Sequence, residues 1–185
     1  GLHQAKYRNT ISVRRMRKYW RGSGRFTMEN NGKMGLFLQN ARLLSDTLGI
    51  VPLLYGSLGL EYLSGDDLAA DDIDILIPKT FITDRWSEFK GILESYGYIL
   101  TDAHEHTFVR EGVSYSYADV EDLETFAGIR CEEILRREAD GVPFMILSPE
   151  QYLRVYKRSS RDGYRARVRG KKDAEKIRFI ESRLL

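Results

Sequence analysis

Asp72-Ile73-Asp74-Ile75 sets two carboxylates on either side of an apolar residue, downstream of a Gly56-Ser57 pair. In an extended strand, successive side chains point to opposite faces. Asp72 and Asp74 then share one face, with Cα atoms ~6.5 Å apart, while Ile73 and Ile75 enter a core. Two carboxylates at that separation suit one hard divalent cation or a bridged pair of them. Mg²⁺ takes one or two carboxylates and completes its octahedron with water and substrate phosphate oxygens. The chemistry this implies is metal-assisted phosphoryl or nucleotidyl transfer. The competing reading is a solvated strand face at a sheet edge. Asp is depleted in strands, so two on one face of a short apolar strand ask for a compensating cation.

Three further features bear on the same chemistry. A Gly56-Ser57 turn opening a helix exposes backbone N–H groups and a hydroxyl, a cradle for phosphate; most such turns only connect. Residues 115–120 alternate well, and Asp119 stands near the end of that stretch, with Glu121 in reserve two positions later. If that strand lies beside the Asp72/Asp74 strand, three carboxylates meet. Two ions about 3.5–4 Å apart would then activate a hydroxyl and neutralise a departing pyrophosphate. The C-terminal half is basic: Lys157 follows a capped helix, and Lys171-Lys172-Asp173 opens the last one. A lysine is a compact point charge suited to triphosphate oxygens, although any one of them reads first as part of a solvated face.

The elements that must position these groups follow from periodicity and turn chemistry. From Met34, Phe37, Ala41, Leu44 and Leu48 recur at near-helical spacing, and Gly49 ends the run. Residues 50–55 read as a short apolar strand, with Ser57 capping a helix to Leu63. Ile73 to Ile77 is the next strand, stopped by Pro78. Thr83 or Asp84 caps a helix with apolar positions Trp86, Phe89, Ile92, Leu93 and Tyr96. Strands at about 104–110 and 113–120 join through Glu111-Gly112. Residues 122–138 are irregular or helical, and 142–147 form a short strand. Ser148-Pro149-Glu150-Gln151 is a helix start, with Ser at the cap, Pro at the first helical position and Gln at the third. A final helix spans about 171–184. The order predicts an α/β or α+β fold: a small mixed β-sheet flanked by helices.

The 185 residues predict a basic appendage over 1–31 and one domain over 32–185 with C-terminal helices. A hydrophobic fraction of 42% against 30% charged excludes an intrinsically disordered chain. No apolar run approaches the ~20 residues of a membrane helix, and the first residues lack the apolar core of a secretory signal. A cytoplasmic, membrane-free setting is therefore expected. Cys131 has no partner for an internal disulfide and is expected to pack as a small hydrophobe. On a strand, His104 and His106 share a face; with no third histidine or cysteine nearby they read as hairpin surface or acceptor-pocket lining rather than metal ligands. Net charge is only +2, yet residues 61–74 are acidic and both ends are basic. An acidic centre for cations beside a basic segment for phosphates suits a nucleotide enzyme.

Together, Gly56-Ser57, Asp72-Ile73-Asp74-Ile75 and Asp119 resemble the nucleotidyltransferase superfamily typified by polymerase beta. The stretch Leu58 to Gly65, and the tail of Leu147-Ser148-Pro149-Glu150, Lys157 and Lys172-Asp173, are similar to a small bacterial branch. That branch includes antibiotic nucleotidyltransferases of the lincosamide type and toxin-like relatives. The resemblance covers roughly residues 34–184. It implies that Asp72, Asp74 and Asp119 bind Mg²⁺, as one ion or two, and that Asp119 activates the acceptor. It implies that Gly56, Ser57 and Lys157 hold the nucleoside triphosphate. The reaction implied moves a nucleoside monophosphate to a hydroxyl of a small-molecule acceptor. Two alternatives stay open: an inactive relative that binds nucleic acid through the basic N-terminal arm, and a toxin-type enzyme that modifies RNA or protein.

Overall fold

The computed structural model describes residues 28–185. Helix α1 (Met28–Leu48) is followed by β1 (Leu53–Tyr55), α2 (Gly56–Ser64) and β2 (Ile73–Ile77). A 3₁₀ turn leads into α3 (Trp86–Ser95), then β3 (Ile99–Asp102), β4 (Thr107–Arg110) and β5 (Val113–Asp119). Next come α4 (Asp122–Ala127), β6 (Leu135–Ala139), β7 (Val142–Ile146), α5 (Pro149–Arg161) and α6 (Gly163–Arg183). The seven strands form one mixed sheet in the order β3-β4-β5-β2-β1-β7-β6. The expected mixed sheet flanked by helices is what the chain adopts. Among the described residues no helix is long and apolar enough to cross a membrane.

The centre of the sheet is built on alternation. β2 runs antiparallel to β1 and parallel to β5, with Leu54, Ile75 and Tyr117 in one lateral row. These three are fully buried and point to one face. That face is covered by α1 and α3: Phe37 meets the Phe144 ring edge-on at 5.6 Å, and Phe89 meets Tyr117 at 5.0 Å. The opposite face carries the row Tyr55–Asp74–Ser116–Thr107 across four strands. There α5 packs at one end, with the Tyr55 and Tyr152 rings stacked 6.3 Å apart. The expected cap of α5 is present: Ser148 Oγ accepts from the Gln151 N–H at 3.2 Å, and Gln151 Oε1 accepts from the Ser148 N–H at 2.9 Å.

Several expectations are corrected. The two strands that pattern reading missed, β3 and β6, are the two edges of the sheet. Edge strands need no apolar alternation and often carry charge that discourages further pairing. Leu135-Arg136-Arg137-Glu138-Ala139 does so, and all but Ala139 are exposed. His104 and His106 do not share a strand face; they lie in the turn between β3 and β4, which begins only at Thr107. His104 is exposed, and His106 sits edge-on to Trp86 at 4.9 Å. Helix α3 begins at Trp86 with no side-chain cap from Thr83 or Asp84. Cys131 is exposed rather than packed. The last helix begins at Gly163, earlier than its apolar spacing indicates.

One contact ties β1 to the helical layer. The buried Tyr152 hydroxyl donates to the Leu54 carbonyl at 2.6 Å. It has room only because position 59 is glycine, where a Cβ would collide with that hydroxyl. Tyr152→Phe keeps the ring but strands the carbonyl. The expected loss is about 1–2 kcal/mol in urea unfolding, with an unchanged m-value.

Candidate active site

The Gly56-Ser57 turn and the aspartate pair meet where β1 ends and β2 begins. The antiparallel register sets Tyr55 opposite Asp74, so the chain leaving β1 turns into α2 beside the start of β2. Gly56 adopts φ of 67°, a conformation open to glycine at little cost. A Cβ there would lie 2.5 Å from Asp74 Oδ2. The Asp74 carboxylate is thus seated against the Gly56 backbone, a contact between residues 18 positions apart in the chain. Ser57 was expected to cap α2. The helix instead begins at Gly56, with Tyr55 at the cap and no side-chain cap bond. Ser57 therefore lies in the first turn, where backbone N–H groups have no partner within the helix.

Ser57, Asp72 and Asp74 line one groove of about 390 Å³. Its far wall is α6, which presents Lys172, Lys176 and Phe179. Spacings of four and three residues put these three on one helix face. The wall is held by α5: Ser159 Oγ donates to the buried Asp173 carboxylate at 2.8 Å. A smaller cavity of about 90 Å³, lined by Gly56, Asp74, Tyr156, Lys172 and Lys176 among others, shares Asp74 and the two lysines with this groove. The Lys176 ammonium lies 5.0 Å from the Tyr156 ring centre.

The near wall is the loop from Gly65 to Asp72, which Glu61 holds. Glu61 is fully buried, and its Oε1 accepts from the N–H groups of Leu68 and Ala70, each at 3.0 Å. Lys33 donates to the Ala70 carbonyl. Arg183, at the end of α6, forks onto Asp66 at 2.9 and 3.1 Å, linking the two walls. This last pair is solvent-exposed and screened by water, so it adds little to stability.

Two expected site residues are not brought to this groove. Asp119 does lie on the strand next to β2, but its register partner is Ile77. That is three residues beyond Asp74, roughly 10 Å along the strand and on the opposite alternation. The position level with Asp74 is Ser116. Among the described residues no three Asp, Glu, His or Cys side chains gather as a metal cluster. Asp119 lines a second cavity of about 390 Å³ with Tyr55, Leu76, Ala118, Phe126 and Arg158. Burial pushes its carboxyl pKa up, aided by Asp122 and Glu121, and the Glu121 N–H bond to Oδ1 opposes this. Lys157 pairs with Glu181 at 3.6 Å on the exposed side of α5. The lysines at the groove are Lys172 and Lys176. Their i, i+4 spacing followed by Phe179 was the signal available in the sequence. The basic arm before residue 28 lies outside the described residues.

Glu61 yields a pH prediction. Burial raises its pKa above the ordinary 4.5, the two N–H bonds and Lys33 oppose the shift, and Asp67 adds to it. Between 4.5 and the raised value the folded chain holds a proton that the unfolded chain has released. Stability therefore falls as pH rises through that window. Glu61→Gln keeps an acceptor for the loop and removes the titration. Its stability should vary less with pH from about 4.5 upward, read from thermal melts across pH. Glu61→Ala should lose about 2–3 kcal/mol at neutral pH, because two N–H groups lose their acceptor.

No protein-family model matches the chain. It is 38% identical over 144 residues to the uncharacterised protein YnaI of Bacillus subtilis (strain 168), covering 78% of this chain and 92% of that protein. Among solved structures it is similar to an antigenic nucleotidyltransferase-like protein from Paracoccidioides brasiliensis. The TM-score there is 0.51, with 20% identity over 77% of this chain and 72% of that one. A more distant likeness is to the antibiotic-resistance factor ANT(2'')-Ia, with a TM-score of 0.46 and 14% identity over 81% of this chain and 90% of that one. The chain belongs to the family of YnaI and has a nucleotidyltransferase-like fold.

Proposed function

We propose that the protein is a metal-dependent nucleotidyltransferase that moves a nucleoside monophosphate from a nucleoside triphosphate to an acceptor hydroxyl. The observation that carries this reading is the Asp74 carboxylate seated on the Gly56 turn, at a groove whose other wall is Lys172 and Lys176. Carboxylates and a hydroxyl are hard oxygen donors, which suit Mg²⁺ and not a thiolate- or imidazole-seeking metal. Asp72 and Asp74 would hold the ion, which would neutralise charge on the transferring phosphate.

The residues of the chain then divide the work. Ser57 and the N–H groups of the first turn of α2 bind phosphate oxygens, since that helix end carries partial positive charge. Lys172 and Lys176 hold the rest of the triphosphate from the opposite wall and stabilise the pyrophosphate as it leaves. Phe179 offers an apolar surface for the base. The cavity beside Asp119 shares Tyr55 with the smaller cavity that Gly56 and Asp74 line. It suits a small acceptor with an apolar body and a cationic group, which Asp119 and Asp122 would face. This assigns Asp119 to acceptor binding.

The test is transfer of a labelled nucleoside monophosphate from each NTP to a panel of hydroxylated small molecules. Asp74→Asn should reduce kcat/KM by about 10²-fold or more while the fold persists. Lys172→Ala should mainly raise KM for the NTP, by about tenfold, the value of one point-charge contact. Equal turnover by wild type and Asp74→Asn would remove the site assignment.

A further inference from the structure

Two features around the aspartate pair limit how many ions it can hold. The first is the register: Asp74 is level with Ser116 of β5, and Ser116 is level with Thr107 of β4. Neighbouring strands lie about 4.8 Å apart, so Ser116 occupies the spot from which a side chain on β5 would reach an ion held by Asp74. The second is the state of that serine. Ser116 Oγ is hydrogen-bonded to Thr107 Oγ1 at 2.9 Å. On this face β5 carries Ser114, Ser116 and Ala118, none of which supplies negative charge.

A pair of ions 3.5–4 Å apart places four positive charges in one site and needs carboxylates from both sides to bridge and balance them. Here the paired anionic donors lie together at the start of β2, Asp74 on the strand and Asp72 in the bend just before it. Asp71 and Glu175 also line the groove, but among the described residues no three-membered acidic cluster forms. Asp119, the one carboxylate on β5, is displaced along the strand and onto the other alternation.

We propose that the site holds a single divalent ion, bound by Asp72 and Asp74, and that Ser116 excludes a second by standing where its carboxylate would be. This rests on the nucleotidyltransferase reading of the site. One chemical consequence follows. The acceptor oxygen forms its bond to the α-phosphorus as the bond to pyrophosphate breaks, and no carboxylate beside Asp74 on β5 is present to take the acceptor's proton. That proton leaves to water or to a basic group on the acceptor itself.

The experiment is Mn²⁺ electron paramagnetic resonance on the full chain with a saturating non-hydrolysable ATP analogue, combined with equilibrium dialysis to count retained ions. The expected result is one Mn²⁺ per chain with the six-line signal of an isolated ion. Two ions with an exchange-coupled spectrum would overturn the proposal and leave the nucleotidyltransferase reading standing. No retained ion would overturn both. Ser116→Asp should raise the count from one to two, and an unchanged count in the folded variant would overturn the role given to Ser116. Ser116→Ala should keep the count at one; a rise to two would likewise refute that role.

Discussion

The Asp74 carboxylate rests against the backbone of Gly56, and most of the site depends on that close approach. It requires a residue without a Cβ in a left-handed conformation, which an L side chain adopts at a cost of roughly 1–2 kcal/mol. It also requires the antiparallel register that sets Tyr55 opposite Asp74. Given both, the start of α2 and the carboxylate pair face one space. Helix N–H groups, a hydroxyl and two acids then stand together without any of them having to leave its own element.

That arrangement is kept open by groups that touch no substrate. Buried Glu61 spends one oxygen on two backbone N–H groups of the loop before Asp72, while its other oxygen has no partner among the described residues. A buried carboxylate of this kind is costly. It is retained where a loop must be held in one shape, because the charged acceptor binds both amides more strongly than a neutral one would. Tyr152 and the Ser159–Asp173 bond act in the same way on the helical side, fixing α5 to β1 and α6 to α5.

The electrostatics of the groove are those of a clamp with opposed walls. Asp71, Asp72 and Asp74 stand on the sheet side and Lys172 and Lys176 on α6, with Glu175 between the lysines, so the groove keeps an acidic excess although its two walls differ in charge. The metal–triphosphate complex we propose as substrate would match both walls at once, its cation toward the aspartates and its phosphate oxygens toward the lysines. The near-neutral net charge of the chain conceals this separation.

The central strand, its two aspartates, the glycine–serine turn and the α5 cap were all legible in the sequence, because each rests on local rules of alternation, backbone freedom and capping. The edge strands β3 and β6 were not, since an edge is defined by what lies beside it and leaves no apolar period. Register was the other hidden quantity. Asp119 reads as a third carboxylate from its strand alone, yet a parallel pairing that matches Asp74 with Ser116 puts it on the other alternation. Likewise Lys157, Lys172 and Lys176 are alike as a string of residues, and only the docking of α6 places the latter two in the groove with the aspartates. Residue types and spacing thus determined the chemistry this chain is equipped for; tertiary packing decided which charges share the groove, because strand pairing and helix docking are set by long-range burial that no local pattern encodes.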